Sequence, residues 1–177
     1  MRVDAAMKIT AQEEYGLRCL LCLASAGEGE SLTIPEIASR EGLSPAHTAK
    51  LLAMLRQGGL IESVRGRSGG YRLALPAHSI RLGTVLRLLG EPLYQDPDYC
   101  QRHAGVESNG MCVHHGSCTL RTLWQTLEEW MRLTLDSITL ADLTQGEEQI
   151  GQLLRQRLAD SLRQRPLPLL SVGTLKS

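Results

Sequence analysis

Only three residues, Gly42, Leu43 and Ser44, separate two short stretches that each carry the marks of a helix. That brevity constrains the fold more than any other feature of the chain. Thr33 can cap the first stretch, IPEIASREG, with Pro35 in the first turn, where its missing N–H is no loss, and Gly42 at the far end. Ser44 and Pro45 open the second, PAHTAKLLAMLRQGG, whose Leu51, Leu52 and Leu55 recur on one side while Ser44, His47, Thr48 and Lys50 occupy the early polar turns. Two helices joined by so tight a turn make a helix-turn-helix.

The following stretch, LIESVRGRSGGYRLAL, alternates through Ile61 and Ser63 and again through Tyr71, Leu73 and Leu75 about the tip RGRSGG. This predicts a β-hairpin whose tip uses the positive φ open to glycine. A helix-turn-helix followed by such a wing is a winged helix-turn-helix. The chain's formal net charge of zero argues against a tail that coats polyanions indiscriminately. Locally the balance differs: Arg40, Lys50, Arg56, Arg65, Arg67, Arg72 and Arg81 face only Glu41 and Glu62 as acids over the same span. In this arrangement the second helix enters the major groove of double-stranded DNA, which makes Ser44, His47, Thr48 and Lys50 the candidates for base readout. Arg65 and Arg67 at the wing tip, with Gly69 beside them, suit phosphates or the minor groove. A protein-docking winged helix with a solvated basic surface is the competing reading.

Residues 1–6 read as an extension. Thr10 and Glu13 then form a capping box for a first helix, with Leu17, Leu20, Leu21 and Ala24 at helical spacing. Cys19 and Cys22 lie inside this apolar helix rather than at a helix start after a strand, which assigns the pair to the core. SIRLGTVLRLLGE predicts a fourth helix, ended by Gly90 and Pro92.

Residues 93–117 show no periodicity, and a structureless stretch of that length in a compact domain calls for a function or an ordering ligand. Here Cys112 and Cys118 bracket CVHHGSC, with Cys100 upstream. The start MRVDAAMKIT holds no apolar leader, so a cytoplasmic, reducing setting is expected. There the cysteines serve metal binding, redox chemistry or burial rather than a disulfide framework. Soft sulfur favours zinc or an iron-sulfur cluster. The spacing matches neither a zinc ribbon nor a ferredoxin run, so a structural zinc completed by His114 or His115, and a metal-free thiol switch pairing Cys112 with Cys118, stay open. Nothing upstream offers an oxyanion hole or nucleophile elbow, so a binding protein rather than an enzyme is expected.

The last cysteine leads into TLRTLWQTLEEWMRLTLDSITLADL, which reads as one long amphipathic helix with Leu120, Leu123, Trp124, Leu127, Trp130, Met131 and Leu135 on one face. A small winged domain cannot cover such a stripe. A twin helix in a homodimer can, which would match a pseudo-palindromic DNA site; packing within one chain is the alternative. Residues 145–165 suit a further helix, and RPLPLLSVGTLKS a disordered tail. No apolar run is long enough to cross a bilayer. The expectation is a mainly α chain: an extension at 1–6, a winged helix-turn-helix at 7–90, a cysteine-containing loop at 91–118, a dimerisation helix region at 119–145 and a tail at 146–177.

The order MKITAQEEYGLRCLLCLA, helix-turn-helix, VRGRSGGYRL, three cysteines and a closing ITLADL resembles the Rrf2 family of bacterial transcriptional regulators over residues 7–143. The resemblance implies a homodimer of crossing long helices, with the cysteine loop near the partner's first helix. In cluster-binding members three cysteines, matching Cys100, Cys112 and Cys118, hold an iron-sulfur cluster, 2Fe-2S or 4Fe-4S. One branch adds a histidine three positions after the last cysteine, where Arg121 stands here. Another adds a carboxylate near the start of the first helix, which matches Glu14, with His114 and His115 as rivals. The resemblance thus implies a regulator whose cluster reports iron-sulfur supply, redox state or nitric oxide.

Overall fold

Local caps set the helix boundaries of the computed structural model, which describes residues 9–27, 29–66, 69–90, 112–114 and 118–164. Helix α1 (Ala11–Ser25) starts on a complete capping box between Thr10 and Glu13. Helix α2 (Ile34–Glu41) repeats the device with Thr33 and Glu36 and stops at Gly42, whose φ of +66° lies in the left-handed region. Helix α3 (Pro45–Gln57) opens on Ser44, whose hydroxyl accepts the His47 N–H. Each cap typically adds about 1 kcal/mol. Together they place the tight turn between α2 and α3.

Strands β1 (Ile61–Val64) and β2 (Gly70–Leu73) form the antiparallel wing in a register running from Ile61 opposite Leu73 to Val64 opposite Gly70. Its turn uses Gly66 at φ +121°. The hairpin is tied to the segment before α2 by reciprocal bonds between the Leu32 and Tyr71 backbones. A side chain at Gly70 would come within 2.5 Å of the Leu32 carbonyl oxygen, so glycine permits this approach.

Leu20 and Leu23 of α1, Ile37 of α2, Leu51, Leu52 and Leu55 of α3 and Ile61 of β1 close one core. Val85 and Leu89 of α4 (Leu82–Leu89) complete it. Each such side chain contributes about 1.5–3 kcal/mol by leaving water.

Two expected helices are interrupted for one shared reason. Helix α4 starts at Leu82 rather than at Ser79, after a 3-10 turn over Ala77–Ser79. The long helix after the last cysteine, α5 (Thr119–Asp136), ends before ITLADL, and the chain restarts as the short α6 (Leu140–Leu143) on a Thr139–Asp142 capping box. Between these breaks Arg81 and Thr139 form an antiparallel bridge, with Leu82 N–H donating to the Ile138 carbonyl and Leu140 N–H to the Ile80 carbonyl. The extended strap buries Ile80, Ile138 and Leu140 almost completely. Arg81 donates to the Asp136 carbonyl at the end of α5 and Arg87 to its carboxylate, satisfying the helix terminus with cations.

The described residues divide into two compact units after Thr144. The second holds α7 (Glu147–Gln164), whose first turn carries Glu147 and Glu148, favourable to the helix dipole. Residues 1–6 and the stretch from Arg165 onward lie outside the described residues. No described helix is long and apolar enough to cross a membrane.

Candidate DNA interface and cysteine centre

Helix α3 sorts its first turns by the leucines that follow. Ser44, Pro45, Ala46 and Lys50 are exposed. Thr48 is fully buried, and its hydroxyl donates to the Ser44 carbonyl one turn back. The expectation that Thr48 reads bases is therefore corrected: it stands three and four residues before Leu51 and Leu52 and so shares their inward face. That spacing was the signal by which the sequence could have excluded it. His47 is half-buried, with its Nε2 buried and without a hydrogen-bond partner, and its ring meets the Tyr15 ring edge-on. Pro45 and Ala46, missed because they are not polar, stand on the exposed first turn.

On the wing Arg65 is exposed, and Arg67 lies outside the described residues. Gly69 has a packing reason to be glycine: a side chain there would come within 2.6 Å of the Val64 carbonyl oxygen. The two acids of the region are occupied. Glu62 pairs with Arg72 across the hairpin at 2.7 Å and Glu41 with Arg18 of α1 at 2.9 Å. Arg40, Lys50, Arg56 and Arg65 stay exposed, the kind of charge that displaces counterions from a phosphate backbone.

Cys112 and Cys118 are half-buried, and Cys118 is the N-cap of α5, its Sγ accepting the Arg121 N–H at 3.4 Å. The N–H groups at a helix start favour an anionic ligand atom. His114 and Glu14 are exposed, while Cys100 and His115 lie outside the described residues. Among the described residues no three histidine, cysteine, aspartate or glutamate side chains converge as a metal site. Cys112 and Cys118 present soft sulfur donors near the start of α5. Glu13 is spent on its capping box, whereas Glu14 faces solvent one residue on. Gly90, the residue before the cysteine-bearing stretch, sits directly against Glu13, so the chain leaves α4 beside the first turn of α1. Cys19 and Cys22 are buried in the core as expected; burial pushes the Cys19 thiol up to about 12 and raises Cys22 as well.

Comparison with known proteins matches this architecture. The model of a family described as an iron-dependent transcriptional regulator, Rrf2, covers residues 9–146. The transcriptional regulator IscR of Vibrio campbellii is 33% identical over 142 residues, 80% of each chain. The solved structure of T. potens IscR is similar with a TM-score of 0.62 and 30% identity, over 81% of this chain and 90% of that one. CymR, titled the global cysteine regulator of B. subtilis, is similar with a TM-score of 0.62 and 28% identity, over 79% and 98% of the two chains. With its capped helix-turn-helix, hairpin wing and ITLADL strap inside the matched span, this mainly α chain belongs to the Rrf2 family of winged-helix, DNA-binding transcriptional regulators.

Proposed function

We propose that the protein is a homodimeric regulator that holds an iron-sulfur cluster and couples its state, set by iron-sulfur supply, redox conditions or nitric oxide, to its grip on a pseudo-palindromic operator. The observation that carries this reading is Cys118 at the opening of α5, the helix whose apolar face is exposed from Leu120 to Trp130. Ligand chemistry and apolar face thus share one element. Cys100, Cys112 and Cys118 would supply three soft sulfurs and Glu14 a hard, labile oxygen, a donor set fitting a 2Fe-2S or 4Fe-4S centre. When bound, such a cluster supplies one-electron chemistry and a position open to small molecules. Ser44 and Lys50, with Arg65, Arg67 and Gly69 of the wing, would face DNA. Residues 7–90 would act as the reading head, 91–118 as the sensing loop and 119–145 as the dimer element.

Anaerobic purification tests this through the absorption spectrum, iron and sulfide analysis and DNA binding before and after cluster removal. The proposal expects a coloured protein whose two states differ in DNA affinity; equal affinity defeats the switch. A second reading has support in the likeness to CymR: Cys112 and Cys118 would act as a metal-free thiol switch. It predicts reversible, dithiol-dependent DNA binding by iron-free protein. A colourless protein containing zinc would instead assign the cysteines a structural role.

A further inference from the structure

Helix α1 holds the turn of the helix-turn-helix from both sides. Arg18 reaches the end of α2, its Nε 2.9 Å from the Glu41 carboxylate and its Nη2 2.7 Å from the Glu41 carbonyl oxygen. Its guanidinium also lies 5.6 Å from the Tyr15 ring centre. Tyr15 in turn meets His47, in the first turn of α3, ring centre to ring centre at 5.7 Å with the planes perpendicular. Arg18 thus ties the helix before the turn, and Tyr15 braces the helix after it.

His47 clarifies what this arrangement does. The residue is half-buried, and its Nε2 is buried and makes no hydrogen bond, so that nitrogen is closed to a base edge. Ring packing rather than polar pairing holds the imidazole. We infer that Tyr15 and Arg18 are positioning residues for DNA recognition: through His47 and Glu41 they set the angle at which the exposed face of α3 meets the groove. The inference rests on the reading of α3 as the helix that enters DNA. It gives α1 a task beyond filling the core. Glu14 is the neighbour of Tyr15, so the first turn of α1 meets the first turn of α3 through the Tyr15–His47 ring contact, beside the leucine core the two helices share.

The test uses the full chain, prepared anaerobically, and duplexes that the wild-type protein enriches from a random-sequence pool, with scrambled duplexes as reference. Tyr15→Ala is expected to lose roughly five- to tenfold in affinity for the enriched duplex, the scale of a lost edge-on ring contact, while scrambled DNA changes by less than about twofold. Tyr15→Phe keeps the ring and retains wild-type affinity. The Tyr15→Ala, His47→Ala double variant binds no more weakly than His47→Ala alone. Amide hydrogen exchange over residues 42–48 is expected to quicken in Tyr15→Ala and not in Tyr15→Phe. Unchanged exchange, losses that multiply in the double variant, or an equal loss on scrambled DNA would each overturn the inference. Should the wild-type protein enrich no sequence, the DNA reading itself fails, and the exchange comparison alone decides whether the brace exists.

Discussion

Helices α1 and α5 are written in the same code, apolar residues at helical spacing over 15 and 18 residues, yet their apolar sides meet different surroundings. In α1, Cys19, Leu20, Cys22 and Leu23 are buried by α2, α3 and α4. In α5 no residue is buried, and Leu120, Leu123, Trp124, Leu127 and Trp130 all face solvent. The cysteines follow suit: those of α1 are sealed in, whereas Cys112 and Cys118 are partly open. Periodicity therefore announces that a face exists and says nothing of what covers it. In the proposed dimer, the second copy does.

The sharpest way to break this contrast is a pair of truncations. Leu20→Ala in α1 should cost about 2–5 kcal/mol of folding stability, read as a large fall in melting temperature. Leu127→Ala in α5 should leave the isolated chain within about 0.5 kcal/mol of wild type, as for surface changes generally. If both variants melt equally low whatever the protein concentration, α5 is covered within one chain and the comparison fails; a Leu127→Ala deficit that deepens on dilution is the dimer's signature.

Next in size is self-association. Trp124→Ala and Trp130→Ala should each weaken it by about 2 kcal/mol, the scale of interface aromatic anchors, in sedimentation across a concentration series. Sedimentation identical to wild type would assign the exposed face another occupant. A smaller effect separates the two sides of α3. Thr48→Val should cost about 1 kcal/mol for the lost hydroxyl bond to Ser44 and leave the preferred DNA sequence unaltered. Lys50→Ala should leave folding intact and weaken DNA binding; a shifted sequence preference in Thr48→Val would restore Thr48 to the readout set.

Smallest near neutral pH is the effect of the buried thiols. Alkylation of cluster-free protein should label Cys112 and Cys118 well before Cys19 and Cys22, and equal rates would contradict the contrast. The folded Cys19 thiol sits at about 12 against an ordinary value of 9.0, so unfolding releases its proton within that window. Below it the group is neutral in both states and costs nothing. Stability should fall as pH rises above about 9, and Cys19→Ala should flatten that alkaline decline.

Much of the head is legible in the sequence. Thr10 with Glu13, Thr33 with Glu36, and Ser44 with His47 are contacts across three residues, so a short window contains the whole interaction. The wing register follows from alternation about a glycine turn. The candidate site is less legible, because Thr48 is polar by composition yet inward by its phase with Leu51 and Leu52. ITLADL fits the helical period as well, so its sequence alone suits the end of a helix.

The sequence by itself determined where helices begin and stop, which residues seek an apolar setting and where sulfur gathers, because capping and periodicity act over three or four residues. Only the tertiary structure decided that Ile138 and Thr139 would leave the helical period to pair with the residues leading into α4, and that His47 would pack edge-on against Tyr15. Both contacts join residues distant along the chain. Their worth depends on how closely the packed elements approach, and no local pattern carries that distance.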